Sequence, residues 1–331
     1  MPATAVSYYT DGKPSGLPMV RHRKPANTLM HVVYSIRPRG VSRVWIICLA
    51  LLAVSARPID ADQSAPIHGL WVWKGPSVLE SARSVESLRD FCRAENINEV
   101  YVSVSERGQM MSEGGMFRMI DILHQARIRV EALLSSENAD EGGDHLEKLV
   151  GRVQSILTFN QKHPEERFDG IHLDIEPQQR PENKGPGNLR FLPGLVEAYR
   201  AVRGVAAPTG LTVNADIQNK LLKGTLEERR MLLSALPQLT LMMYELSDPH
   251  DQDSIQEKSE KVKAASEKFL AMAYEGLSET QTAKMIIALR TPDYDQLLPV
   301  MLRTLDEANR ANPHYLGWAR HSYNDTLPRA Q

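Results

Sequence analysis

Cysteine is nearly absent from this chain: there are two in 331 residues, Cys48 and Cys92. Two cysteines build neither a disulfide framework nor a thiolate metal site. An excess of positive charge is missing too, with 39 Lys/Arg against 41 Asp/Glu. A nucleic-acid partner needs clustered basic charge to neutralise phosphates, so that class is set aside. No apolar run reaches the roughly 20 residues that span a bilayer comfortably. No short repeat or low-complexity segment occurs, and no glycine-rich phosphate loop follows any strand-like segment.

What is present begins with an apolar run, VWIICLALLAV, from Val44 to Val54. Arg37, Arg39 and Arg43 precede it, and Val54-Ser55-Ala56 follows as a small-x-small cleavage pattern. The pattern predicts a secretory signal over residues 1–56, with an extended basic region and cleavage after Ala56. The alternative is an uncleaved amino-terminal membrane anchor. Seven Lys/Arg and one Asp lie in residues 1–56, which leaves the remainder at a formal charge of −8. Cleavage would leave Cys92 alone. A periplasmic or extracellular location follows as an expectation. Residues 57–67 are polar, contain prolines and read as a linker.

From His68 to the end, strand-like and helix-like patterns alternate. Strands are predicted at His68–Trp73, Glu99–Ser105, Arg129–Ser135, Gly170–Glu176, Leu211–Ile217, Leu239–Tyr244, Met285–Arg290 and Tyr315–Arg320. Amphipathic helices are predicted at Ser84–Ala94, Met116–Gln125, Leu146–Asn160, Leu189–Arg203, Leu226–Leu236, Ser254–Ala271 and Tyr294–Asn309. Eight strands alternating with helices over about 255 residues match a (β/α)8 TIM barrel in one domain, residues 68–331. A doubly wound open sheet is the other arrangement of the same pattern. Polar residues favour the barrel because they collect at the carboxyl ends of many strands, where a barrel has its mouth. They include Ser103, Ser135, Asp174, Glu176, Asp216, Gln218, Tyr244, Glu245, Arg290, Arg320 and His321.

The stretch RFDGIHLDIEPQ, residues 167–178, alternates Ile171, Leu173 and Ile175 with His172, Asp174 and Glu176. Successive strand side chains point to opposite faces, so the three ionisable groups share one face. Parallel sheets are buried on both faces. That face must therefore look into the barrel. Asp174 and Glu176 have Cα atoms roughly 6.5–7 Å apart. Confined carboxylates raise each other's cost of ionising, so one stays protonated to donate and the other stays charged. Glycoside hydrolysis needs that division of labour. An internal ion-pair network with Arg290 or Arg320 is the structural alternative.

The motif FDGIHLDIEP resembles the strand-four signature D-G-x-D-x-D-x-E of glycoside hydrolase family 18, the chitinase-like barrels. Asp169, Gly170, Asp174 and Glu176 match it. LMMYELSD resembles that family's strand-six motif through Met242, Tyr244 and Glu245, and Trp318 falls where the family carries a sugar-stacking tryptophan. The resemblance implies Glu176 as proton donor to the glycosidic oxygen. Asp174 would orient a substrate acetamide and stabilise its developing charge, and Tyr244 would bond that acetamide. It implies no cofactor and no metal, and a carbohydrate ligand. Asp169 begins the strand and reads as structural.

Two departures qualify the likeness. The family's middle aspartate is His172 here, which either bonds Asp174 and holds it ionised or plugs the barrel. The family's Ser/Gly-rich strand-two motif is not clearly present in Ser103–Gly108. Trp71 and Trp73 share a face and either stack on sugars or pack the core. Asp216, His172, Glu245, Trp318, Trp73 and Arg290 form the expected substrate-binding set. The expected function is cleavage of an amino-sugar glycan. Two alternatives are a catalytically inactive carbohydrate-binding barrel and a metal-dependent deacetylase or amidohydrolase using His68, His172 or His321.

Overall fold

The computed structural model describes residues 65–185, 187–244, 246, 253–278 and 282–327. The expected signal segment with Cys48, most of the expected linker and Glu245 lie outside the described residues.

Eight strands form the closed barrel. They are β1 (Ile67–Val72), β2 (Glu99–Ser103), β3 (Arg129–Ser135), β4 (Gly170–Asp174), β5 (Thr212–Gln218), β6 (Gln238–Met242), β7 (Lys284–Arg290) and β8 (Tyr315–His321). Neighbours are parallel throughout, and β8 pairs back onto β1 through Ile67–Gly317 and His68–Trp318. This is the (β/α)8 architecture that the alternating pattern predicts. The longer helices of the connections among the described residues are α1 (Ala82–Ala94), α2 (Glu113–His124), α3 (Gly143–Lys162), α4 (Leu192–Ala206), α5 (Leu226–Leu233), α6 (Ile255–Tyr274) and α7 (Leu298–Asn309). The starts of α5 and α6 are fixed by capping boxes, Thr225 with Glu228 and Ser254 with Glu257, which satisfy two orphan N–H groups each.

β1, β2, β4 and β6 stop one or two residues earlier than alternation suggests, while β5 and β8 run one residue further. β4 ends at Asp174, because Glu176 turns out of the extended region (φ −116°, ψ 62°) and Pro177 cannot donate to the ladder. β2 ends at Ser103, and Ser105 passes into a small hairpin, Ser105–Glu106 against Gln109–Met110.

The core has two parts. The larger lies between barrel and helices and takes Ile171 and Leu173 from β4. The smaller fills the barrel itself with Trp71, Tyr101, Leu133, Ile286, Ala288 and Ala319. Gly170 faces inward for a steric reason. A Cβ there would stand 2.6 Å from Glu131 Oε1, so a larger residue would displace a carboxylate that organises the interior.

Candidate active site

Inside the barrel, His172 from β4 lies between two carboxylates from flanking strands. Its Nδ1 is 3.2 Å from Glu131 Oε2 and its Nε2 is 2.8 Å from Asp216 Oδ1. All three residues are buried. Burial works against a charged imidazole, but Asp216 and Glu131 outweigh it and push the His172 pKa up to about 10. His172 is therefore an imidazolium donating from both nitrogens. Asn214 Nδ2 donates to both Glu131 oxygens at 2.6 and 2.8 Å. The Trp71 indole donates to Asp216 Oδ2 at 3.1 Å. The Tyr101 ring stacks on the imidazole with centroids 3.9 Å apart. The expected bond from His172 to Asp174 is not made: the imidazole is used by Glu131 and Asp216, so it does not hold Asp174 ionised in that way.

Above this layer, Asp174 has no hydrogen-bond partner among the described residues. Loss of hydration, then the charges of Asp216 and Glu176, hold its carboxyl well above the usual carboxylate range. Glu176 follows two residues later at the rim. Gln218 Nε2 donates to its Oε1 at 2.8 Å, Gln178 Nε2 does so at 3.2 Å, and Gln179 donates to Oε2. Burial raises the Glu176 pKa although these amide bonds favour its charged form. The site thus contains two adjacent acids that keep their protons to higher pH than ordinary carboxyls.

Tyr244 follows the end of β6. Burial, reinforced by the charges of Asp216, Asp174 and Glu176, keeps its hydroxyl protonated. That hydroxyl is buried, and among the described residues nothing hydrogen-bonds it. The Arg290 guanidinium lies 5.7 Å from the Tyr244 ring centre and pairs with Asp293 at 2.6 Å. His321 stands beside the rings of Trp71, Trp73 and Tyr244, with centroids 5.6–5.9 Å away. The Trp73 indole donates to His321 Nε2 at 3.0 Å, so Nε2 is unprotonated and Nδ1 carries the proton. Burial lowers the His321 pKa, consistent with a neutral ring.

Several sequence expectations move. Trp318 does not face the mouth. It points out of the barrel into the helix-side core and stacks on His68, with ring centroids 4.2 Å apart. The inward residues of β8 are Ala319 and His321, so parity sends Trp318 and Arg320 outward. Arg320 bonds Glu95 at 3.2 Å and lies over the Phe91 ring. It neutralises no mouth carboxylate. Asp216 has both oxygens committed to His172 and Trp71, which gives it an internal role rather than direct contact with a ligand. His68 pairs with Asp306 on α7, away from His172 and His321. Among the described residues no group of three or more His, Cys, Asp or Glu is arranged to hold a metal ion. Asp169 lies at the amino end of β4, where Oδ2 accepts from His124 at 2.9 Å and from the Val130 N–H at 2.8 Å.

Sequence reasoning missed Glu131, Asn214, Tyr101, Gln178 and Gln179. Glu131 carried a signal: it is the acid inside the otherwise apolar core of RVEALLS.

No protein-family model matches the chain, and no curated protein does either. Similar solved structures include a GH18 chitinase from Pseudoalteromonas aurantia (9% identity, TM-score 0.49, covering 78% of this chain and 94% of that one). A β-1,3-glucanosyltransferase mutant from Rhizomucor miehei, solved with laminaritriose, gives 11% identity and TM-score 0.46, covering 77% and 86%. The second catalytic domain of an Ostrinia furnacalis Group II chitinase, solved with a chito-oligosaccharide, gives 13% identity and TM-score 0.41, covering 69% of this chain and 64% of that domain.

Proposed function

We propose that the chain is an exported glycoside hydrolase acting on an amino-sugar glycan, with Glu176 as the proton donor. The observation that carries this reading is Glu176 itself. It is a partly accessible carboxyl at the carboxyl end of a barrel strand, with raised proton affinity and three amide groups fixing its orientation. An acid of that kind holds its proton until a leaving oxygen needs it. Asp174 sits one strand repeat below, and among the described residues neither it nor the buried Tyr244 hydroxyl has a hydrogen-bond partner. A sugar acetamide supplies what both lack: an N–H or C=O for the Asp174 carboxyl and a C=O for the tyrosine. Substrate-assisted cleavage by such an acetamide is an exception to the two-carboxylate scheme, and it suits a site in which only one acid reaches the rim.

The test is hydrolysis of aryl N-acetylglucosaminides and chito-oligosaccharides by residues 57–331. Glu176→Gln keeps the shape and removes the proton, so turnover should fall about 10²–10⁴-fold while glycan binding persists. Equal turnover in the two proteins would overturn the assignment.

One observation favours a second reading, a sugar-binding barrel without catalysis. His172 fills the position of the family's middle aspartate and spends its charge on Glu131 and Asp216. Glycan binding with no hydrolysis by the parent protein would select that reading.

A further inference from the structure

Beside the barrel mouth lies a groove of about 440 Å³ lined by Ser136, His145, Lys148, Gly151, Arg152 and Ser155. His145, Lys148, Arg152 and Ser155 follow one another on α3 at steps of three, four and three residues, so they share one face of the helix. Ser136 comes from the segment after β3. Among the described residues the lining holds two cations, an imidazole, two hydroxyls and no acid.

Arg152 sets this face apart from an ordinary solvated one. It is half-buried, and its Nη2 donates to the Ser135 carbonyl at 2.7 Å. That bond leaves the rest of its fork of N–H groups for a ligand. Burial lowers the Arg152 pKa, and no neighbouring acid offsets the loss of hydration. The acids that follow on the same loop are taken elsewhere: Asp140 and Glu141 both pair with Arg180, at 2.5 and 2.6 Å. Glu137, Asp144 and Glu147 are exposed and lie outside the lining. A guanidinium so withdrawn, beside Lys148 and without a counter-charge, suits an anion with two oxygens to offer.

The groove adjoins the candidate active site. Ser135 pairs with Asp174 in the ladder, and the Ser136 N–H donates to the Asp174 carbonyl at 3.1 Å. The strand that anchors Arg152 thus stands about 4.8 Å from the backbone of Asp174. We propose that this groove is a subsite for an anionic oxygen group, a carboxylate or a phosphate, carried by the glycan that lies over Glu176. Resting on the glycosidase reading, the subsite makes the substrate an acidic glycan.

The test is calorimetric titration of the full chain with two oligomers of equal length, a neutral chito-oligosaccharide and one oxidised at C6 to carboxylates. The acidic oligomer should bind about ten- to a hundred-fold tighter at low salt, the worth of one hydrogen-bonded contact to a charged group. Added salt should reduce that ratio. Arg152→Gln should bring the ratio close to one. Lys148→Glu, at an exposed position, serves if Arg152→Gln does not fold, and it too should lower the ratio. Equal affinities in the parent, no binding of either oligomer, or a ratio unmoved in whichever variant folds would overturn the subsite. Inorganic phosphate, as a third titrant, separates a glycan-borne anion from a free one. Phosphate binding that Lys148→Glu abolishes, with equal affinities for the two oligomers, would assign the groove to a free anion and overturn the glycan subsite. Failure of the function reading looks different: the acidic preference persists while the parent hydrolyses neither oligomer. Glu176-dependent turnover of both oligomers at equal affinity would keep that reading and remove the subsite.

Discussion

His172 and Asp216 meet across adjacent strands at 2.8 Å, and that contact fixes the sign of the charge at the centre of the barrel. With Glu131 on the other nitrogen, one imidazolium serves two carboxylates in a region that water does not reach. His172→Asp would restore the residue found in the family motif, yet here it removes the only cation of that trio and adds a third acid. Breaking a buried pair by removing one partner costs about 3–5 kcal/mol. We expect His172→Asp to lower the thermal midpoint strongly and His172→Gln, which keeps a donor, to lower it less. A His172→Asp protein as stable as the parent would refute the trio's role.

The same trio predicts a pH dependence. The folded-state pKa of His172 is raised to about 10, above the ~6.5 of an unfolded histidine. The folded state therefore binds the proton more tightly. Its contribution is complete below about pH 6.5 and is lost as pH rises through about 10. Denaturant unfolding of the parent and His172→Gln should show stabilities that converge as pH rises across that window. A constant difference would mean that the imidazole is neutral in the folded protein.

Much of this was legible in the sequence, for a physical reason. The period-two alternation of Gly170–Asp174 sorts residues by face, so Asp174 and His172 declare themselves inward once the sheet is parallel and covered on both sides. The partners were not legible. Glu131 and Asp216 lie 41 and 44 residues from His172, and only the pairing of neighbouring strands brings them to it. β8 shows the opposite failure. Its parity divides Trp318 and Arg320 from Ala319 and His321 but does not say which pair faces in. A large aromatic and a cation look functional, yet the outer core takes the ring and Glu95 takes the charge.

That correction makes its own prediction. Trp318 packs against His68 between barrel and helices. Trp318→Ala should cost about 3–5 kcal/mol through lost packing and a residual cavity. Glycan affinity of the folded fraction, measured by calorimetry well below the lowered midpoint, should match the parent. A selective loss of affinity at full stability would return Trp318 to the sugar site.

Cys92 lies wholly inside α1's apolar face, and burial pushes its thiol pKa up to about 12. The thiolate needed for reaction is suppressed. Native protein should resist thiol reagents that label the unfolded chain at once. Cys92→Ser buries a hydroxyl in place of a small hydrophobe and should cost about 1–3 kcal/mol. Rapid labelling of native protein at neutral pH would contradict this placement.

Tyr244 gives the sharpest separation of function from stability. Its hydroxyl is buried with no partner among the described residues, and such a group burdens the folded state by about 1–3 kcal/mol. The ring, in contrast, contributes packing against the inner core and beneath Arg290. Tyr244→Phe keeps the ring and deletes the unsatisfied oxygen. The variant should unfold at the same temperature as the parent or at a higher one. If the hydroxyl is held there to bond a sugar acetamide, glycan affinity or turnover should fall about tenfold, the worth of one good hydrogen bond to a ligand. A structural tyrosine behaves the other way, losing stability and sparing binding. Thermal melts and binding isotherms on the same two proteins distinguish these outcomes. Lower stability with unchanged glycan affinity would remove Tyr244 from the site.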